Sequence, residues 1–272
     1  MGYRETRKKA GISQLSLFIA LSRAKPVYYN GKTMKTTNKI SVVIPAYNEE
    51  DWIEKPLDSL KGQDYEEEYE TIVVDNNSDD NTKEIAESYD TKVITETKEG
   101  VSQARQTGFK AARYPIIAST DADTILPPNW LKKINNTFQD PDVVGTYGSC
   151  TFYDSSVFQN LLAKYGFSGF LRFNSLVGKP LLIGFNMAVS KEAFDHTRGF
   201  DSEIKSAEDV DLSQRVKSEG KIVYNKNLTV KTSVRRLASW GLAKFLVHHA
   251  INYFNVVWLR RPDRARDFDD IK

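Results

Sequence analysis

Two aspartates separated by one residue, Asp121 and Asp123, close a β-branched run, and an acidic pair, Glu208 and Asp209, opens a helical pattern further along. Carboxylates at Asp-x-Asp spacing can share one divalent ion and leave coordination positions free for diphosphate oxygens, as Mg²⁺ or Mn²⁺ sites do. A carboxylate in the first turn of a helix is kept ionised by the helix dipole and can serve as a general base. Taken alone, each pattern also has a plainer reading, a solvated acidic turn in one case and an ordinary helix start in the other. Other polar groups follow β-like runs: Pro45-Ala46-Tyr47-Asn48-Glu49 after the first, Asp75-Asn76-Asn77-Ser78-Asp79 after the second. Open parallel sheets bind ligands beyond the carboxyl ends of their strands, so these groups converge on one rim. Neither Gly-x-Gly-x-x-Gly nor Gly-x-x-x-x-Gly-Lys-Ser/Thr occurs there, which argues against a glycine-rich turn as the phosphate cradle.

The elements that must position these residues alternate in type. Strands are predicted at Ile40–Pro45, Glu70–Asp75, Lys92–Thr95 and Pro115–Asp121, and helices at residues 49–60, 80–89 and 101–113. This is the pattern of an α/β fold with a Rossmann-like, mostly parallel central sheet flanked by helices. Asp79 or Asp80 is a plausible N-cap, and Pro56 marks a kink or a late helix start. Loops and strands are expected over roughly 142–190, a helix from near Ala207 and a strand at Lys221–Tyr224, while Trp130 reads as core packing.

The chain has 272 residues with 40% hydrophobic and 27% charged residues, which excludes a disordered or collagenous chain. Its single cysteine, Cys150, excludes an internal disulfide or a multi-thiolate metal site. A net charge of +2 hides an asymmetry: residues 1–39 carry nine Lys/Arg against one Glu, residues 231–272 carry nine against four acids, and the middle is strongly acidic. A nucleic-acid binder should carry its basic patch on the folded domain, so no nucleic-acid partner is expected. The apolar run Leu15–Leu21 loosely mimics a signal peptide, but it is short and exits into basic residues; a functional start at Met34 is the simpler expectation. The divisions expected are a basic extension (1–39), the α/β domain (40–233) and a C-terminal amphipathic helical segment (234–272).

From residue 40 to about 220 the chain resembles a family 2 glycosyltransferase of GT-A fold. Ser41-Val42-Val43-Ile44-Pro45-Ala46-Tyr47-Asn48-Glu49-Glu50 is similar to that family's opening strand and nucleotide loop, and Ile72–Thr82 to its second. Gly100-Val101-Ser102-Gln103-Ala104-Arg105-Gln106-Thr107-Gly108 resembles its Gly-x-x-x-Ala-Arg-Asn-x-Gly helix, with Gln106 in place of Asn. Asp121-Ala122-Asp123 matches its Asp-x-Asp, and Gly199-Phe200-Asp201 with Glu208-Asp209-Val210-Asp211 its later motifs. The resemblance implies transfer of a sugar from a nucleotide-diphospho-sugar to a hydroxyl acceptor with inversion. It assigns donor binding to Pro45, Tyr47, Glu49, Asp75, Arg105, Asp121 and Ala122, a divalent Mn²⁺ or Mg²⁺ to Asp123 with Asp121, and the base to Asp209. Glu208 and Arg215 would meet acceptor or sugar hydroxyls, and Gly184 and Asn186 would line the donor-sugar pocket.

Two departures from the family pattern matter. No histidine lies in Tyr224–Ser233, so the ion is expected to be held by one side chain with diphosphate and water, or by His248 or His249 folding back. No Gln-x-x-Arg-Trp is present, which fits single additions rather than processive synthesis. The segment from Leu242 to Leu259 is apolar but interrupted, and with Arg235, Arg236, Arg260, Arg261, Arg264 and Arg266 it reads as amphipathic helices on an anionic membrane. The acceptor is therefore expected to be a lipid-linked or membrane-presented saccharide, and the location cytoplasmic or peripheral on the cytoplasmic membrane face. A polyprenyl-phosphate glycosyl synthase is the near alternative, and a sugar-1-phosphate nucleotidyltransferase, which would need a glycine-rich basic loop after strand one, the distant one.

Overall fold

The computed structural model describes residues 38–204 and 206–267, together with the antiparallel pair Tyr28–Tyr29 and Lys32–Thr33. Two compact units are distinguished, Met1–Thr36 and Thr37–Lys272. The Leu15–Leu21 run and the proposed start at Met34 lie outside the described residues.

The larger unit is built on a seven-stranded sheet of β1 (Ile40–Ala46), β2 (Tyr69–Asp75), β3 (Lys92–Thr95), β4 (Ile116–Ser119), β5 (Val143–Phe152), β6 (Met187–Ser190) and β7 (Lys221–Thr232), in the order β3-β2-β1-β4-β6-β5-β7. Pairs within β3-β2-β1-β4 are parallel, as is β5 with β7; only β6 runs antiparallel to both neighbours. Ile40, Val42, Val43 and Ile44 are fully buried because helices cover both faces of β1, which is why its sequence reads as a continuous apolar run. Register then does the positioning. Ala46 pairs with Asp75 and Val43 with Ser119, so the segments after β1, β2 and β4 emerge along one edge.

Helices α1 (Glu54–Lys61), α2 (Thr82–Glu87), α3 (Val101–Ala111) and α4 (Trp130–Thr137) follow the first strands. Pro56 falls in the first turn of α1, where a missing N–H costs nothing, so the expected late start is what is observed. Asp80 is not the N-cap of α2, which is Asn81; its carboxylate instead accepts from the N–H groups of Thr82 (2.9 Å) and Glu50 (3.0 Å), joining the two rim loops. Gly108 of α3 lies so close to the sheet that a Cβ would stand 2.4 Å from Val43 Cγ1 and 2.9 Å from Val74 Cγ2. That contact fixes α3 against the strands that carry the rim.

The expectation of loops and strands over 142–190 needs correction. After β5 the chain forms α5 (Val157–Leu161), a π-helical turn (Leu162–Phe167) and α6 (Ser168–Leu176) before reaching β6. The extra residues of the π turn shift the helical face, and Val157, Phe158, Leu161, Tyr165, Phe173 and Leu176 remain exposed, so no core-facing stripe shows in the sequence. Beyond lie α7 (Lys191–His196), α8 (Glu208–Val216), α9 (Arg235–Trp240) and α10 (Leu242–Tyr253), the last running into a π turn at Phe254–Trp258. β7 is much longer than predicted, because its pairing with β5 continues past irregularities between Tyr147 and Ser149.

Candidate active site

At the centre of the rim stands Arg105, whose guanidinium projects from α3 and is almost wholly buried. Its Nη2 lies 2.7 Å from Asp121 Oδ1, after β4, and its Nη1 is ion-paired with Glu208 at the start of α8. Burial alone would lower its pKa, but the carboxylates of Glu208, Asp121 and Asp209 raise it, so the guanidinium is fixed as a cation. Gly184 packs flat on it. A Cβ at Gly184 would come 2.3 Å from Arg105 Cζ, so only glycine allows the loop before β6 to approach.

Asp209 is oriented by the same loop. Its Oδ2 accepts the Gly184 N–H at 2.8 Å and its Oδ1 the Val210 N–H at 2.7 Å. Burial raises the Asp209 pKa against the opposing pull of Arg105 and these two donors. Burial likewise pushes Glu208 up to about 7, with Arg105 acting against it. Three acids thus surround one arginine; Glu208 and Asp209 are both made more basic by burial, and of these two Asp209 is the one that keeps partial exposure.

The two members of Asp-x-Asp are held apart by different arginines. Asp121 faces Arg105; Asp123, buried, lies 3.1 Å from Arg235 Nε and accepts the Thr232 hydroxyl at 3.1 Å. Burial, then the Asp121 charge, raises the Asp123 pKa. Arg235 also ion-pairs with Glu49, pushed up to about 7 by burial, whose Oε2 is buried without a partner. Asp123 and Glu49 therefore already gather around a cation, a donor set of hard oxygens that suits a divalent ion. Among the described residues no group of three His, Cys, Asp or Glu could hold a metal by itself, so further oxygens would have to come from a ligand.

On the nucleotide edge, Asp75 is buried at the end of β2 and its Oδ1 accepts the Ser78 N–H at 3.3 Å. Tyr47 is 53% exposed, an open ring beside that edge. The left-handed Asn48 (φ 53°) accepts the Asp79 N–H at 2.9 Å, while the Glu49 N–H donates to the Thr82 hydroxyl at 2.7 Å. Pro45 pairs with Val74, one residue before the end of the β1 register, and Ala122 is buried between the two aspartates.

Three placements differ from the sequence reading. Asn186 does not line a sugar pocket: it is fully buried, donates to Ser149 O (2.9 Å) and Leu228 O (2.8 Å), and accepts the Trp130 indole N–H at 2.9 Å. Its hydrogen bonds are spent on joining β5, β7 and α4. Trp130 is fully buried, as expected. Arg215 is bound to Asp211 and to the carbonyls of Thr197 (2.7 Å) and Gly199 (2.6 Å), so its donors secure the Gly-Phe-Asp turn rather than face the rim. Arg235, grouped from sequence with membrane-facing arginines, reaches the rim instead; an arginine just past the last strand of an acid-rimmed sheet was the signal for it. His248 is buried with its Nε2 3.0 Å from Asn252 Nδ2, which is a packed histidine. Gln106, the departure from the family helix, accepts the Phe200 N–H at 2.8 Å and so ties α3 to the same turn.

This architecture is the GT-A fold. The structure superposes on the mannosyltransferase PcManGT of Pyrobaculum calidifontis, solved with GDP-Man and Mn2+, with a TM-score of 0.59 at 23% identity, covering 73% of this chain and 58% of that one. It matches S. aureus TarS 1-349 in complex with UDP-GlcNAc with a TM-score of 0.59 at 21% identity, covering 72% and 58%. Residues 41–198 match the family described as Glycosyl transferase family 2, and the chain belongs to that family. Among its relatives are glycosyltransferase AglE of Haloferax volcanii, 30% identical over 66% of this chain and 62% of that protein, and the dolichol-phosphate mannosyltransferase of Pyrococcus furiosus, 38% identical over 35% and 29%. A Methanococcus voltae enzyme, named dolichyl N-acetyl-alpha-D-glucosaminyl phosphate 3-beta-D-2,3-diacetamido-2,3-dideoxy-beta-D-glucuronosyltransferase, is 25% identical over 82% and 77%. This chain thus spans less than two thirds of AglE and under a third of the P. furiosus enzyme.

Proposed function

We propose that the protein transfers a sugar, with inversion, from a nucleotide-diphospho-sugar to a hydroxyl of a lipid-linked saccharide. The observation that carries this reading is the convergence of Asp121, Glu208 and Asp209 on the buried Arg105, beside Asp123. Asp75 and Tyr47 would receive the nucleoside and Asp121 the ribose side of the donor. A divalent ion, bound at Asp123 together with diphosphate oxygens, would supply a Lewis acid for the charge of the departing nucleoside diphosphate. Asp209, its basicity raised by burial and its two oxygens aimed by the Gly184 and Val210 amides, takes the proton of the attacking hydroxyl. Attack from the face opposite the leaving group inverts the anomeric centre. Arg105 stays charged throughout and keeps Glu208 and Asp121 from repelling the new negative charge.

A phosphate acceptor, as the name of the P. furiosus relative suggests, is the second reading. An ionised phosphate needs no base, and the care with which Asp209 is held favours a hydroxyl. A lipid-borne acceptor is supported by an inversion of burial in α6 and α10. Asn174, His248 and Asn252 face inward, with Tyr253 donating to Asn174 at 2.5 Å, while Phe173, Leu176, Leu246, Val247 and, in the π turn that follows α10, Phe254 are exposed. No helix among the described residues is long and apolar enough to cross a membrane, so attachment would be interfacial, aided by Arg260, Arg261, Arg264 and Arg266. Thermal-shift measurements with UDP, GDP, TDP and their sugars, with and without Mn²⁺, test donor use. Stabilisation by none of them would remove the proposal.

A further inference from the structure

Arg235 follows β7 immediately after Thr232-Ser233-Val234 and opens the C-terminal helices, yet its guanidinium lies within the donor rim. Its Nε is 3.1 Å from Asp123 Oδ2, its Nη2 pairs with Glu49, and its Cζ lies 5.3 Å from the centre of the Trp52 ring. Two segments thus clamp one side chain: the loop after β4, and the connection from β1 to α1, which supplies both Glu49 and Trp52. Both carboxylates are largely buried and face this one cation directly. The backbone around it is tied as well, since Ser233 Oγ donates to Asp154 Oδ2 (2.5 Å) and the Val234 N–H to Asp154 Oδ1 (2.8 Å).

We infer that Arg235 is a resident counter-cation of the donor site, exchanged for a divalent ion when the donor loads. The inference rests on the reading of Asp123 as the ion-binding carboxylate. A guanidinium and a dication compete for the same Oδ2, since close like charges repel. While Arg235 is in place, the acids are neutralised and free ion binds poorly. When ion and diphosphate arrive together, four negative charges from diphosphate and carboxylates accommodate both cations, and Arg235 is free to turn to phosphate oxygens. The exchange loosens α9, which is anchored by the buried Leu237 and passes through Gly241 (φ 74°) directly into the exposed apolar helix α10. Donor loading is thereby communicated to the segment whose exposed apolar face is proposed to meet the membrane.

The test is a Mn²⁺ titration of the full chain, read by the paramagnetic resonance of free Mn²⁺, for wild type, Arg235→Gln and Arg235→Lys, without nucleotide and with UDP or GDP. Expected is Mn²⁺ binding to Arg235→Gln without nucleotide about tenfold tighter than to wild type, with Arg235→Lys close to wild type. Equal or weaker binding by Arg235→Gln, with wild type still binding Mn²⁺ in the presence of a nucleotide, overturns the exchange and leaves the ion-site reading intact. Absence of Mn²⁺ binding by every form overturns both. Should Arg235→Gln fail to fold, hydrogen exchange on the wild type decides: amides of Ala238 and Gly241, bonded to Val234 and Leu237 carbonyls, should exchange faster with Mn²⁺ and diphosphate bound, and unchanged protection refutes the proposal.

Discussion

Gly184→Ala places one methyl group where the structure has none to spare. The new Cβ would stand 2.3 Å from both Cζ and Nη2 of Arg105 and 2.6 Å from Nη1, whereas ordinary contact begins near 3.4 Å. About 1 Å of retreat is needed. A surface arginine would yield at little cost, but this one is buried and held on its far side by Glu208 and Asp121, the latter at 2.7 Å. Retreat either stretches these ion pairs or pulls the Gly184 N–H away from Asp209. Overpacking costs about 1–3 kcal/mol, and a domain of this size loses about 2–4 °C of melting temperature per kcal/mol. A fall of roughly 2–12 °C is expected, with transfer reduced at least about tenfold through the displaced Asp209. Differential scanning fluorimetry and a nucleoside-diphosphate release assay measure the two effects. Wild-type melting together with wild-type turnover would refute the packing of Gly184 on Arg105.

For Asp209→Asn, near-normal donor binding with transfer lowered by about two to four decades is expected, checked by calorimetry and product release; near-normal turnover would point to a phosphate acceptor. Asp123→Ala should abolish the Mn²⁺ dependence of nucleoside-diphosphate binding, measured by calorimetry with and without EDTA. Glu49 and Glu208, raised from 4.5 to about 7, bind protons more tightly folded than unfolded, so their stability contribution is full below pH 4.5 and lost as pH rises through 7. Urea unfolding of the ligand-free protein should therefore show lower stability at pH 8 than at pH 5, by about 3 kcal/mol at most for one such group, and a rise across that interval would contradict it. Full-length protein should co-sediment with anionic vesicles at low ionic strength and detach as salt increases; failure to sediment at low salt would mean the apolar faces of α6 and α10 serve another purpose.

The parallel half of the fold was legible because β1, β4 and most of β2 are buried on both faces and read as continuous apolar runs. Polar clusters after β1, β2 and β4 could be read as one rim from strand polarity alone. Burial partners could not. Asn186 and Arg215 have side chains suited to sugar hydroxyls, and nothing in their neighbours reveals that carbonyls of Leu228 and Gly199 claim them first. Arg235 was misplaced because its sequence company, Arg236 and the later arginines, belongs to a surface while its own side chain turns inward. Helices α5 and α6 escaped notice because a π turn breaks their period and apolar residues point outward, leaving neither helical nor strand alternation to follow. The Gly108 contact shows the opposite case, a motif glycine whose reason becomes visible only when α3 meets Val43.

The central claim is that this rim moves a sugar from a nucleotide donor through Asp209. Its most direct measurement is the release of nucleoside diphosphate from a panel of nucleotide sugars, with Mn²⁺, in the presence of polyprenyl-diphosphate-linked saccharides, for wild type and Asp209→Asn. The account predicts release by the wild type that depends on the saccharide acceptor and a loss of at least about a hundredfold in the variant. Acceptor-dependent release that survives unchanged in Asp209→Asn would contradict it.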